Sequence, residues 1–250
     1  MHGLEVHFTQ RSTQVISKTP SSAVPWLRWF LIPLAMVPLL FWVEQSFDLA
    51  ISAFFFDVSS ASFPWREQWF TTGFIHRFGR LPATLIFLGF AIAWMLQIRD
   101  RNLIRFAQMR FVCITMLVCF AVVNLIKRSS NSACSWDLVD FGGRYPHLSW
   151  FGALPPAIAP GHCWPAAFSL SGFVLFAVYF YLYDSAHARF ATLALVFILI
   201  YANALGFVQV MRGAHGVSHQ LWTGFFCWYL SLACYWIYAL TARKTWAASK

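Results

Sequence analysis

The segment Arg212-Gly213-Ala214-His215-Gly216-Val217-Ser218-His219 carries the densest chemistry in the chain. Two histidines four apart share one face of a helix, and Arg212, three before His215, can join that face. A guanidinium beside two imidazoles suits a phosphate group. The guanidinium grips the phosphate oxygens as a fork, and a neutral imidazole can attack phosphorus. Lys127 and Arg128 supply a second cationic pair. Two readings compete with this one. Two histidines at i and i+4 can ligate a metal ion or haem iron, although no Asp or Glu adjoins the pair and Arg212 would repel a cation. Ionisable groups at the ends of membrane spans are also ordinary snorkelling anchors.

Further polar residues lie between Lys127 and Pro165. Arg144, in Phe141-Gly142-Gly143-Arg144-Tyr145-Pro146, could reach a second phosphate, while the glycine pair reads as a turn. The run lacks the spacing of a phosphate-binding P-loop. Asp137 and Asp140 read as a solvated loop face, and His76 and His147 as surface residues. Cys134 and Cys163 share this loop, and in an oxidising compartment a disulfide between them is chemically allowed; two separate thiols are the alternative. Cys113, Cys119, Cys227 and Cys234 fall in apolar stretches and read as inert small hydrophobes.

The elements that must position these groups are membrane helices. The 250 residues are 59% hydrophobic and only 11% charged, with 27 Phe and 13 Trp. A soluble core of this size cannot hide that excess. Six apolar stretches reach helix length, at about Leu27–Val43, Leu81–Ile98, Phe111–Ile126, Ala166–Tyr183, Phe190–Val210 and Leu221–Leu240. None alternates with period two, which disfavours a β-barrel. Pro33 and Pro38 predict a kink in the first. The segment Glu44–Arg80, with Phe54-Phe55-Phe56 and Phe63-Pro64-Trp65, reads as an amphipathic stretch on the membrane surface. Trp136, Trp150, Trp164 and Trp222 fit an interfacial aromatic belt.

The net charge of +9 fits topology signals and lipid headgroup contacts better than nucleic acid, because aromatic and basic residues do not interleave on one polar segment. Loop Lys and Arg favour cytoplasmic termini. The polar chemistry then collects on the opposite side. Residues 1–24 read as a polar cytoplasmic tail without the pattern of a cleaved signal peptide. Residues 25–242 form one six-helix membrane domain and 243–250 a second cytoplasmic tail.

Three strings in order carry a resemblance: Lys127 followed by Cys134-Ser135-Trp136-Asp137-Leu138, then Gly161-His162-Cys163-Trp164-Pro165-Ala166, then Arg212-Gly213-Ala214-His215-x3-His219-x2-Trp222. The chain resembles the type 2 phosphatidic acid phosphatase superfamily, and more narrowly a bacterial inner-membrane branch of it. The likeness covers most of the chain and is specific in its last half. It implies an all-α polytopic fold of six transmembrane helices with short periplasmic surface helices and a periplasmic active site. It implies hydrolysis or transfer of phosphate on a lipid monophosphate or diphosphate, such as undecaprenyl pyrophosphate or lipid A. The implied route is a phosphohistidine on His215, with no cofactor and no metal. Lys127, Arg128, Arg212 and Arg144 would bind phosphate.

The pattern departs from the superfamily's at several positions. His219 stands where an orienting Asp is expected, and brings no negative charge. Cys134 and Ser135 stand where Arg and Pro are expected after Lys127. Gln209 replaces an Arg, for which Arg212 can substitute. Phe168 stands in the general-acid His position, and phenylalanine has no proton to give. General acid–base help is typically worth about 10²–10⁴-fold. Either another group supplies the proton, with His162 in Pro160-Gly161-His162 as the candidate, or the protein binds lipid phosphate without turnover.

Overall fold

Apolar runs in hydrocarbon become helices because every backbone N–H and C=O there needs an internal partner. The computed structural model describes residues 25–100, 103–148, 152–185 and 187–248. The expected tail at residues 1–24 lies outside them. Ten α-helices follow in order: α1 (Trp26–Ala35), α2 (Val37–Ser46), α3 (Asp48–Phe54), α4 (His76–Phe78), α5 (Leu81–Asp100), α6 (Leu103–Ser129), α7 (Ala167–Phe173), α8 (Phe176–Tyr183), α9 (Ala191–Met211) and α10 (Val217–Ala248). No strand occurs among the described residues, only the isolated bridges Asp57↔Ser62 and Leu138↔Tyr145.

Among the described residues five helical stretches are long and apolar enough to cross a membrane: Trp26–Ser46, Pro64–Ile98, Arg105–Ser129, Ala188–Met211 and Val217–Thr241. The protein is thus an all-helical, multi-pass membrane protein by length and composition. The expected span at Ala166–Tyr183 is a shorter apolar pair, α7 and α8. The expected kink falls at Met36. Pro33 lies inside α1, and Pro38 opens the first turn of α2, where a missing N–H costs least. Helix α10 runs on to Ala248, so most of the expected C-terminal tail is helical backbone.

Helices α7 and α8 form the centre of the bundle, packed against α6, α9 and α10. Their side chains, including Leu170, Phe173, Leu175, Phe176, Ala177 and Phe180, are buried. By contrast α1, α2 and α5 expose rows of large apolar residues, such as Leu85, Leu88, Ile92 and Leu96, a polarity suited to lipid. Trp29 joins the core among Tyr179, Phe180, Tyr183 and Tyr235. The Trp228 indole N–H donates to its backbone carbonyl at 2.8 Å.

The segment between α2 and α5 is not one amphipathic helix. It breaks into α3, a turn, a short 3₁₀ turn at Pro64–Arg66, a seven-residue π-helix at Trp69–Ile75 and α4. Its apolar residues divide. Phe54, Trp69 and Phe70 stay exposed, whereas Phe63 is buried with Leu138 and Phe141, with Phe55 and Phe56 packed against them. The loop 130–145 therefore covers this end of the bundle rather than standing free. Trp164 and Trp222 are also buried, packed with Leu40 and Phe226, so they are core residues and not an interfacial belt. Trp150 lies outside the described residues.

Candidate functional site

Five residues join the long helices α9 and α10, and their conformation places His215. Arg212 caps α9, and Gly213 follows with φ +71. The N–H of Ala214 returns to the Gln209 carbonyl and that of Gly213 to the Val210 carbonyl, both at 2.9 Å. This is the Schellman arrangement that a glycine just past a helix end permits. Space also demands glycine, since a Cβ on Gly213 would lie 2.5 Å from the Phe63 ring. The Trp136 N–H donates to the Gly213 carbonyl at 2.8 Å and pins the turn from outside.

His215 therefore precedes α10 and does not share a helix face with His219. The turn still brings them together. Their Nδ1 atoms are 3.4 Å apart and their ring planes cross at 62°. Both are buried, and the backbone of Cys163 reaches both imidazoles. Burial first, then the charges of Lys127, His219 and Arg212, hold His215 well below the usual imidazole range. The ring is neutral at physiological pH and keeps a nitrogen lone pair for attack.

The wall opposite the turn is the strap 163–166. Cys163 is disulfide-bonded to Cys134 with Cα atoms 5.2 Å apart, as the shared loop allowed. The Cys163 N–H donates to the Ser132 carbonyl at 2.8 Å. The Ala166 N–H donates to the His219 carbonyl at 3.1 Å, and the Thr223 hydroxyl reaches the carbonyls of Ala166 and His219. The strap is thus stitched to the first turns of α10.

Two of the expected cations adjoin the imidazoles. Lys127, at the end of α6, donates from Nζ to the Pro165 carbonyl at 3.5 Å and acts electrostatically on both rings. Arg212 is buried and donates from Nη1 to Gln209 Oε1 at 2.8 Å, while its Nε has no partner. Burial and the nearby Arg66 charge push the Arg212 guanidinium down, but an arginine starts too high to lose its proton. The one ion pair among the described residues is Arg66–Glu67 at 4.0 Å, on the surface. Among the described residues neither the half-buried Lys127 nor the buried Arg212 lies within ion-pair distance of a carboxylate, although the Glu67 charge acts on Arg212. A cation drawn out of water is costly, and an arriving anion relieves that cost.

The other expected residues lie elsewhere. Arg128 is exposed, and no described contact joins it to the imidazoles. Arg144 is exposed beside the Tyr145 ring, and borders a separate cavity of about 160 Å³ with Ala157, Ile158 and Ala159. His162 is exposed in a left-handed conformation, φ +50, with no described hydrogen bond to the His215–His219 pair.

Two acidic residues close to the site, Asp48 and Glu44, had no signal in the sequence, and His76, expected at the surface, is exposed there. Asp48 is buried and receives the Ser218 N–H and hydroxyl. Glu44, one turn earlier, is buried beside it. Both line a cavity of about 20 Å³ with Ser132, Ser135, His147 and His219, which has room for one water. His76 stacks on Phe168, centroids 5.1 Å apart. Among the described residues no group of three or more His, Cys, Asp or Glu could hold a metal ion.

The end of α6, the end of α9 and the start of α10 thus meet around the His215–His219 pair. A comparison with protein-family models, curated proteins and solved structures finds no match.

Proposed function

We propose that this protein transfers or hydrolyses phosphate on a membrane lipid phosphate or diphosphate, with His215 as the nucleophile. The observation that carries the proposal is a buried, neutral His215 imidazole under the charges of Lys127 and Arg212, neither of which is ion-paired to a carboxylate among the described residues. Such a pocket favours a multiply charged anion and offers it a lone pair. The resemblance of the Lys127, Cys163–Ala166 and Arg212–Trp222 strings to the lipid phosphatase superfamily points the same way.

In this reading α7 and α8 together make a sixth span, shielded from lipid by the helices around it. The site end faces the periplasm of a bacterial inner membrane, with both chain termini in the cytoplasm. The lipid phosphate enters at headgroup depth, and its oxygens meet Lys127 and Arg212. Nδ1 of His215 is turned towards His219, so attack falls to Nε2. The new N–P bond forms as the P–O bond to the lipid breaks, and water later cleaves the phosphohistidine.

The test is phosphate release from a lipid diphosphate and a lipid monophosphate in mixed vesicles. Wild type releases phosphate and His215→Ala does not. Equal release by both overturns the nucleophile. Binding of the lipid by both proteins with release by neither assigns the protein to lipid-phosphate binding alone.

A further inference from the structure

The turn that carries His215 has an outer wall made by two segments. Phe63 is buried against Phe56 and Phe141, with ring centroids 5.3 and 5.4 Å away, and its ring crowds Gly213 so closely that no Cβ fits there. Trp136 meets the same residue, with its backbone N–H 2.8 Å from the Gly213 carbonyl. Both contacts therefore fall on the residue that follows Arg212 and lies two before His215.

Arg66 belongs to both halves of this wall. It closes the 3₁₀ turn Pro64–Arg66, where its N–H donates to the Phe63 carbonyl at 2.9 Å. Its guanidinium carbon lies 4.2 Å from the centre of the Trp136 ring. The Thr72 hydroxyl donates to the Arg66 carbonyl at 2.5 Å, and the Trp136 indole N–H donates to Asp137 Oδ2 at 2.9 Å. The backbone of Arg66 and the ring beneath its head are thus both fixed. The head itself is only loosely engaged. It is half-exposed, and its ion pair is with the solvent-facing Glu67 at 4.0 Å, a contact that holds weakly in water.

Arg66 is third in the membrane-length stretch Pro64–Ile98, and Arg212 immediately follows Ala188–Met211. Span ends lie at the depth of lipid headgroups. One guanidinium is buried in the turn beside His215, and the other stands at the rim outside the same turn. The Arg66 charge reaches Arg212. Two such cations repel each other, and an anion charged at two points relieves both.

The departing group favours the same anion. An alkyl phosphate expels an alkoxide, which needs a proton, and Phe168 at the start of α7 has none to give. A diphosphate expels a phosphate, whose last proton comes off at about pH 6. That group leaves already charged, and a cation fixed beside it stabilises the charge.

We infer that Arg66 binds the second phosphate of a lipid diphosphate, the one that His215 does not attack, and makes the protein selective for diphosphates over monophosphates. The inference rests on the phosphoryl-transfer reading above and names its substrate class. Lys127 and Arg212 hold the terminal phosphate. The N–P bond forms on His215 as the bridging P–O bond breaks. The electron pair stays on the bridging oxygen, which becomes an oxygen of the lipid monophosphate departing beside Arg66. No proton moves in this step.

The experiment uses two lipids with identical tails, dioleoylglycerol pyrophosphate and dioleoyl phosphatidic acid, in mixed micelles with full-length wild type, Arg66→Gln and Arg66→Lys. Calorimetry reads the binding of inorganic pyrophosphate and of phosphate in parallel. Wild type prefers the diphosphate lipid. Arg66→Gln loses about tenfold or more in kcat/KM on it, and less than about threefold on the monophosphate. Pyrophosphate binding weakens with the first and phosphate binding stays with the second. Arg66→Lys recovers part of the loss at low salt and less at high salt. If Arg66→Gln loses all four readouts together it has lost its fold, and the ratio between the two lipids is read in Arg66→Lys, where the diphosphate is again the more affected. Equal losses on the two lipids in a folded variant, or no loss, overturn Arg66 and leave the nucleophile standing. If wild type turns over neither lipid yet binds pyrophosphate through Arg66, the phosphoryl-transfer reading falls and Arg66 stands as a diphosphate-binding residue. Binding of neither anion overturns both.

Discussion

The Asp48 carboxylate closes the N-terminus of α10 across 170 residues of chain, taking the Ser218 backbone N–H at 2.8 Å and the Ser218 hydroxyl at 2.5 Å. A helix start leaves orphan N–H groups that a side-chain oxygen must satisfy, and here the oxygen comes from another helix. Gly216 makes the approach possible, because a Cβ there would collide with Asp48 Oδ2. The cap ties the first span to the turn that carries His215.

That cap has a predicted pH signature. Burial, aided by Glu44, pushes the Asp48 carboxyl from 3.8 up to about 6, against the opposing Ser218 bonds. A raised folded-state value means the folded protein favours the protonated acid. Its stabilising contribution is complete below about pH 4 and is lost as pH rises through 6. Thermal melts of wild type and Asp48→Asn in detergent test this. The stability of wild type relative to the variant falls by up to about 3 kcal/mol between pH 4 and pH 7. A difference that does not change with pH would mean that Asp48 titrates as it does in water.

The Cys134–Cys163 bond closes a loop with a sequence separation of 29. Chain entropy gives such a loop about 3–4 kcal/mol. The paired variant Cys134→Ser/Cys163→Ser therefore melts several degrees lower than wild type, and a reductant lowers wild type towards the same value. The backbone of Cys163 touches both imidazoles, so His215-dependent turnover falls at temperatures where the global fold persists. Unchanged melting and turnover after reduction would show that the strap is held by its hydrogen bonds alone.

The sequence made the helices legible because hydrocarbon imposes one rule on every residue of a span. It also marked Arg212, His215 and His219 as a cluster between the last two spans. Local spacing failed at the helix start. The i, i+4 spacing placed both histidines on one face, whereas α10 begins only at Val217. Asp48 and Glu44 were illegible for a different reason. Each reaches the site through packing between distant segments, and an isolated acid in a polar stretch carries no mark of its partner. The tryptophans misled because Trp164 and Trp222 have the composition of a membrane interface, but burial against Leu40 and Phe226 decides their role.

Arg212 provides the last prediction. Its guanidinium is buried, bonded to Gln209 Oε1, and has a free Nε. If this donor awaits a phosphate oxygen, geometry as well as charge matters, and lysine cannot replace the fork. A charge-assisted hydrogen bond contributes about 1.5–3 kcal/mol, which is roughly a 10- to 150-fold change in binding. Both Arg212→Lys and Arg212→Gln therefore weaken competitive inhibition by inorganic phosphate by at least tenfold, with Lys recovering little of the loss. Lys127→Met weakens it too, but Lys127→Arg recovers part, because Lys127 acts as a point charge on both imidazoles. Full retention of phosphate inhibition in Arg212→Gln would place the anion elsewhere and remove the basis for its contact with His215.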